Sequence, residues 1–291
     1  MSLLRRRPRI EAKTPDQLIA MRRAGQVVAR TLALATEHAS AGTSTRELDT
    51  LAEEAIRSAG ATPSFLGYHG FTGSLCISVN DEVVHGIPGP RVLADGDLVS
   101  IDCGAIVEGW HGDAAVSLVV GGRDRARAAD LALMDDTEAS LWAGIAALRP
   151  GGRLYAVGDA VEESVDAALE RRRREGVPGV QVYGILEDYT GHGIGREMHM
   201  DPHVPNYGVT SSGPTVPSGS TFAIEPMVTL GSIETRTLAD DWTVVTSDGS
   251  RAAHWEHTVA VTDAGLWVLT ATDGGAAGLA RVGADFAPLC D

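Results

Sequence analysis

Four acidic residues stand inside apolar, strand-like runs of this chain. They are Asp102, Asp113, Glu225 and Glu256. Acidic side chains ordinarily lie in water. Side chains alternate across a strand, so each acid has definable companions. Asp102 shares a face with Leu98 and Ser100, and Asp113 with Ala115 and Ser117. Glu225 shares one with Thr221 and Ala223, and Glu256 with Thr258 and Ala260. Leu98 apart, those companions are small. The opposite faces carry Val99 and Ile101, Val116 and Leu118, Phe222 and Ile224, and Val259 and Val261, which should pack on helices. Acids gathered in the resulting groove would repel one another and raise their own pKa values. Cations or a metal must offset that repulsion. These segments hold no lysine or arginine, so metal is favoured. Two divalent ions balance four carboxylates. Oxygen and imidazole ligands without sulfur suit Mn, Fe, Co or Zn in a two-metal site.

An imidazole is available at His192, flanked by Gly191, Gly193 and Gly195, and His199 follows seven residues later. Alone, a histidine among glycines is a loop residue. Beside four carboxylates it becomes a candidate ligand. The glycines leave the backbone bare and are read as letting a turn come close to the metals.

The elements that must position these groups repeat along the chain. Thr14-Pro15-Asp16-Gln17 is a capping box that opens a helix, with Leu18, Met21, Gly25, Val28 and Leu32 at helical spacing. Ser44-Thr45-Arg46-Glu47 opens a second helix, stopped by Gly60. A strand is expected over 74–79 and a β-hairpin over 97–120, turning at 108–110. Two more helices follow, at about 126–148 and 155–175. Strands are then expected at 181–185, 221–230, 242–246 and 252–262, and the Gly/Ala-rich tail from 271 is expected to be loosely held. The order helix, helix, strand, hairpin thus occurs twice. Gly96 precedes Asp102, and Gly219 precedes Glu225, by the same six residues, each acid behind an isoleucine. These matches predict two halves, 14–120 and 125–265, of one catalytic domain over 14–270. Residues 1–13 form an N-terminal arm and 271–291 a C-terminal tail.

Composition excludes several other classes. The 291 residues carry a net charge of −15, with Lys13 the only lysine, which argues against stable sequence-independent binding to nucleic acid, DNA included. Cys76, Cys103 and Cys290 are too few and too far apart for a disulfide framework or a zinc site. The arginines near the start are followed by no apolar run, so no secretory signal is read. No stretch approaches a membrane span. The expectation is a soluble, cytoplasmic protein without a membrane partner. Arginines 171–174 read as a solvated helix end, with transient contact to ribosomal RNA as the alternative.

Together these segments spell a family pattern. Val84-His85-Gly86-Ile87-Pro88, Ser100-Ile101-Asp102-Cys103-Gly104, Gly112-Asp113, Gly191-His192-Gly193-Ile194-Gly195, His199, Phe222-Ala223-Ile224-Glu225-Pro226 and Glu256-His257-Thr258 occur in order. Over roughly 12–270 the chain resembles methionine aminopeptidases of type I. The 25 residues between His199 and Glu225 leave no room for the insertion that marks type II. Without a zinc-finger or long N-terminal linker, the unextended bacterial subtype fits best.

The resemblance implies an α/β (α+β) pita-bread fold, with two pseudo-twofold-related halves around a central curved antiparallel sheet. It implies removal of the initiator methionine from nascent chains when the second residue is small, by attack of dimetal-activated water on the peptide carbonyl. It also implies a monomer. By position, Asp102 would chelate one of two divalent ions (Co, Mn, Fe or Zn), Asp113 and Glu256 would bridge both, and His192 and Glu225 would hold the other. Glu225 would shuttle a proton, His199 would stabilise the oxyanion, and His85 would sit near the scissile nitrogen. Tyr68, Phe71, Cys76 and Trp242 would line the methionine pocket, with His85 and His199 also touching substrate. Phe65, Phe71 and Met198 depart from the commonest bacterial pattern at positions that shape the pocket. The other histidines, His69, His111, His203, His254 and His257, are assigned to packing or tuning, and His38 to a solvated helix. Two rivals remain: a proline-directed peptidase of the same fold, and a catalytically dead binding module that would have lost ligands.

Overall fold

Two capping boxes start the chain as the sequence requires. The computed structural model describes residues 10–289. In it α1 (Pro15–His38) begins with Thr14 Oγ1 accepting from the Gln17 amide, while Gln17 caps Thr14 in return. Ser44 and Glu47 do the same for α2 (Thr45–Ser58). Strands β1 (Thr62–Pro63), β2 (Leu75–Val79), β3 (Glu82–Val84), β4 (Leu98–Val107) and β5 (Trp110–Val119) complete the first half. The expected hairpin is β4–β5, in unbroken register from Leu98↔Val119 to Val107↔Trp110. Its turn is Glu108-Gly109, both left-handed at φ 51° and 78°, the conformation that matches strand twist in a two-residue hairpin.

The second half repeats the helix pair as α3 (Ala128–Ala147) and α4 (Ala156–Glu175), neither with a side-chain cap. After β6 (Gly184–Ile185), β7 (Gly191–Gly193) and β8 (Met200–Val204) come β9 (Ser220–Ile224) and β10 (Met227–Thr229). Then follow β11 (Thr235–Thr237), β12 (Val244–Thr246), β13 (Ala252–His254), β14 (His257–Thr262), β15 (Gly265–Val268) and α5 (Ala276–Arg281). All strand pairs within the four hydrogen-bonded sheets are antiparallel.

The two expected strands 221–230 and 252–262 are each broken. β9 lies in a five-stranded sheet, β10 in a three-stranded one, with Glu225-Pro226 between them. Proline has no N–H to continue the ladder. β13 and β14 part in the same way at Trp255-Glu256. There the Glu256 N–H turns to Ala115 O (3.0 Å) on β5, and the Ala115 N–H returns to Glu256 O (3.3 Å).

The large strand faces pack on helices as parity predicts. Val99 and Ile101 join Leu48 and Ile56 of α2, while Phe222, Ile224, Val259 and Val261 join Leu141, Ile145, Val157 and Val161 of α3 and α4. α1 crosses from the first half to the second. Gly25 leaves space for the Leu269 carbonyl, and Gly112 for the backbone of Gly25, where any Cβ would clash. Beside it, the buried Arg22 donates to the carbonyls of Leu269 (2.7 Å) and Thr272 (3.0 Å).

The tail is held more firmly than its composition predicts. Leu279 is fully buried in the core, Gly278 lies against the Trp142 ring, and Leu266 pairs with Asp285 and Ala287 through backbone hydrogen bonds. Local Gly/Ala content does not register such tertiary docking. Cys76 and Cys103 are buried free thiols; Cys290 and the first nine residues of the arm lie outside the described residues.

Candidate metal centre and substrate pocket

The acids meet where the halves join. Asp102 pairs with Cys76 across β2 and β4, so its carboxyl and the Cys76 thiol share a face. Asp113 lies on β5, its backbone fixed by Thr258 of β14: the Asp113 N–H donates to Thr258 Oγ1 (3.0 Å), which donates back to Asp113 O (2.8 Å). Glu225 and Glu256 occupy the two strand breaks. Asp102, Asp113 and Glu256 are 8%, 4% and 2% exposed, and the Glu225 side chain 13%. Ligand atoms of Asp113, His192 and Glu256 lie within 4.8 Å of one another, as do those of Glu225, His254 and Glu256; Asp102 stands outside both groupings.

Desolvation pushes all four carboxyls up. Asp102 rises to about 7. Asp113, Glu225 and Glu256 rise well above the usual range, through burial first and then one another's charge. Buried oxygens of Asp102, Asp113 and Glu256 (Oδ1, Oδ1 and Oε1) have no hydrogen-bond partner. Such groups are costly unless something neutralises and coordinates them. Burial likewise lowers His192 to about 3, so it is neutral. Its Nδ1 lies 2.9 Å from Gly193 O, which fixes the proton there and leaves Nε2 a lone pair, 3.5 Å from Glu225 Oε1. Neutral imidazole, unpaired carboxylate oxygens and, among the described residues, the lack of any lysine or arginine paired with the four acids fit divalent ions.

The glycines around His192 work differently from the expectation. Gly191 and Gly193 are strand residues, not a turn. A Cβ on Gly191 would stand 2.4 Å from Ala223 O, and one on Gly193 2.5 Å from Asp201 O. Bare backbone lets β7 fit between β8 and β9, and that fit aims His192 into the site.

All the candidates line a single cavity of about 160 Å³. His85, His192, His199, Asp102, Asp113, Glu225 and Glu256 form its polar part. Tyr68, Phe71, Cys76 and Trp242 line the same cavity, with Phe65, Met198 and Ile87 in the same apolar cluster. Phe71 meets Trp242 edge-on at 5.1 Å and Phe65 at 6.5 Å. The Tyr68 hydroxyl lies 2.8 Å from His199 Nδ1. His85 packs edge-on against Tyr189 and Trp242, and burial lowers it to about 4. His199 is lowered too, by burial and then the neighbouring His69 and His203. Tyr189, Val84 and Met227 also line the cavity; Val84 opens the motif that carries His85, whereas no local signal marks Tyr189 or Met227 as site residues. His254, assigned to packing or tuning, stands beside Glu225 and Glu256; it lies two residues before Glu256, and the alternation expected over 252–262 puts the two on the same face.

A neutral imidazole and four desolvated carboxyls beside a small apolar pocket define a metal-dependent hydrolase centre. Residues 19–263 match the model of metallopeptidase family M24. The chain is 53% identical to methionine aminopeptidase 1 of Mycobacterium tuberculosis, covering 93% of this chain and 98% of that one. It is 45% identical to methionine aminopeptidase 1 of Bacillus subtilis, over 90% and 99%. The solved methionine aminopeptidase of Thermotoga maritima superposes with a TM-score of 0.83 at 38% identity, covering 90% of this chain and all of that one. The chain belongs to metallopeptidase family M24, among its methionine aminopeptidases, and has their pita-bread fold. A prolidase of Pyrococcus furiosus shares the fold at a TM-score of 0.65 and 20% identity, and the chain covers 65% of it.

Proposed function

We propose that this protein removes the amino-terminal methionine from nascent chains whose second residue is small, using residues 14–270 as one catalytic unit. The observation that carries the reading is the convergence of two acids from each half, with His192, beside a pocket lined by Phe65, Phe71, Cys76, Met198 and Trp242. That lining is apolar and polarizable, suited to a thioether. The limit to a small second residue rests on the family resemblance.

Asp102, Asp113, His192, Glu225 and Glu256 would hold two divalent ions, drawn from Mn, Fe, Co or Zn. Bound there, the ions would supply Lewis acidity for the peptide carbonyl and bring the pKa of water toward neutrality. The protein's own groups do the rest. Glu225, the most open of the four acids, carries a proton between water and the leaving amine. The Tyr68 hydroxyl lies 2.8 Å from His199 Nδ1, and by donating to it would leave Nε2–H to donate to the developing oxyanion. His85, held neutral by burial, faces the scissile nitrogen. The carboxylate-rich end receives the free amine, which limits the enzyme to chain ends.

It would work in the cytoplasm as a monomer, a reading that rests on the family resemblance. No helix of the described residues is long and apolar enough to cross a membrane. Transient ribosome contact through arginines 171–174 would compete with bonds that three of them make within the protein. Arg171 and Arg172 already pair with Asp136, and Arg173 donates to Gln181 O.

Release of methionine from Met-Ala-Ser, compared with cleavage of X-Pro peptides, with and without chelator, tests the reading. Metal-dependent release of methionine alone supports it. X-Pro cleavage would point to a prolidase-like enzyme, and no cleavage of either to a binding module.

A further inference from the structure

His254 is outside the five-residue ligand set, although its ligand atom falls within 4.8 Å of those of Glu225 and Glu256. It is 1% exposed, and its Nε2 is sealed from solvent without a hydrogen-bond partner. That nitrogen lies 3.9 Å from Glu225 Oε2 and 4.0 Å from Glu256 Oε2. Glu225 therefore stands between two imidazoles. Its Oε1 faces His192 Nε2 at 3.5 Å, and its Oε2 faces His254. Since His192 Nδ1 is bonded to Gly193 O, the lone pair of His192 and Glu225 Oε1 point at common ground. His254 Nε2 is left without a partner, and Glu225 Oε2 is the nearer of the two carboxylate oxygens beside it.

The backbone of His254 is clamped from the other half of the molecule. Its N–H is shared between Ser117 Oγ (3.0 Å) and Ser100 Oγ (3.2 Å). Its carbonyl accepts from Ser117 Oγ (2.9 Å), and the two hydroxyls bond each other at 2.9 Å. Ser100 and Ser117 are cross-strand partners on the hairpin that carries Asp102 and Asp113. These are the small residues that parity placed beside the aspartates. They fix His254 against the glutamates, so the hairpin that supplies one pair of acids also braces the other pair.

We propose that His254 is a positioning residue of the metal centre: as the Nε2–H tautomer it donates to Glu225 Oε2 and so turns Oε1 toward His192 and the ion that the two share. The present 3.9 Å exceeds a hydrogen bond by about 1 Å. Glu225 sits at a strand break and is the most open of the four acids, and the proposal requires it to close that gap when an ion is bound. The proposal rests on the metal-centre reading above.

The test uses the full chain, with His254→Gln, which keeps an N–H donor, and His254→Ala and His254→Leu, which do not; leucine also fills the volume. The readouts are Mn(II) affinity by chelator competition and the number of imidazole nitrogens coupled to Mn(II) in pulsed EPR. Donor loss is expected to weaken Mn(II) binding by about 10- to 100-fold, with His254→Gln close to the parent. One coupled imidazole is expected throughout. Affinity in His254→Leu within about two-fold of the parent would overturn the proposal, since supporting groups around a metal typically cost more. Loss of a coupled nitrogen on substitution would overturn it differently, by making His254 a ligand. Failure of the parent protein itself to bind Mn(II) would remove the metal-centre reading, and this proposal with it.

Discussion

In the first half, Asp102 and Asp113 lie within two unbroken ten-residue strands joined by a two-residue turn. In the second, Glu225 and Glu256 stand where the chain leaves one sheet for another. An intact ladder holds a side chain at a fixed height over the sheet, and the short aspartate suffices there. A break frees the backbone for other uses. Glu256 spends its amide and carbonyl on Ala115 across the seam, and the longer glutamate side chain reaches back to the site. The helices divide in the same way. α1 and α2 carry capping boxes, while α3 and α4 have no side-chain caps. One half is built on uninterrupted strands and capped helices. The other has traded regularity for the entry of His192, His199 and His254.

The largest effects should come from exchanging acid lengths between the halves. Asp113→Glu forces an extra methylene into a buried site on an unyielding strand, where overpacking is poorly tolerated. It is expected to lower kcat/KM for methionine release by more than the ~100-fold that supporting groups around a metal typically cost, with loss of bound ion. Glu225→Asp, at a break and partly open, should retain more activity than Asp113→Glu. Equal losses in the two variants would break the comparison.

A middle-sized effect concerns pH. Carboxylates in the unfolded chain titrate near pH 4, whereas burial raises folded Asp102 to about 7. Between those values Asp102 keeps in the metal-free native state a proton that it loses in the unfolded state, so its own contribution to stability falls as pH rises. The buried histidines act in the opposite sense: His192 and His85 stay neutral in the native state but take a proton below pH ~6.5 when unfolded, so their contribution rises with pH. Thermal melts of metal-free parent and Asp102→Asn protein isolate the first effect: the parent should lose Tm relative to the variant from pH 5 to pH 7. A divalent ion should cancel that loss, adding about 2.7 kcal/mol to the parent at a concentration 100 times its Kd. A difference between the two proteins that stays constant from pH 5 to 7 would mean that Asp102 is not buried among the acids as described.

The smallest effect tests the helix contrast. Ser44→Ala removes the side-chain half of the α2 capping box and should cost about 1 kcal/mol, read in denaturant melts of the metal-loaded protein. No loss would remove capping as a distinction between the halves.

How legible each region was in the sequence follows the same division. Capping residues at Thr14, Gln17, Ser44 and Glu47 and the long alternation around Asp102 and Asp113 placed the first half's helices and hairpin almost residue by residue. These are local signals, and locally determined structure obeys them. The breaks at Glu225 and Glu256 were invisible to periodicity, because both flanks keep the alternation and only the hydrogen-bond partners change. The Leu279 docking and the strand character of Gly191 and Gly193 depend on distant partners, so composition misread both. The same parity that found the four acids also covered His254, but histidine serves so many roles that parity alone did not single it out. The pocket residues Tyr68, Phe71, Cys76 and Trp242 come from separate segments and carried no local signal; family resemblance alone named them.

The central claim is that acids from both halves hold two ions in one bridged centre. Low-temperature EPR of the protein loaded with two equivalents of Mn(II) tests it most directly. The account predicts an exchange-coupled dinuclear signal that Glu256→Gln abolishes, because Glu256 lies at the seam within reach of both acid pairs. Two uncoupled Mn(II) signals, or a coupled signal that survives Glu256→Gln unchanged, would contradict it.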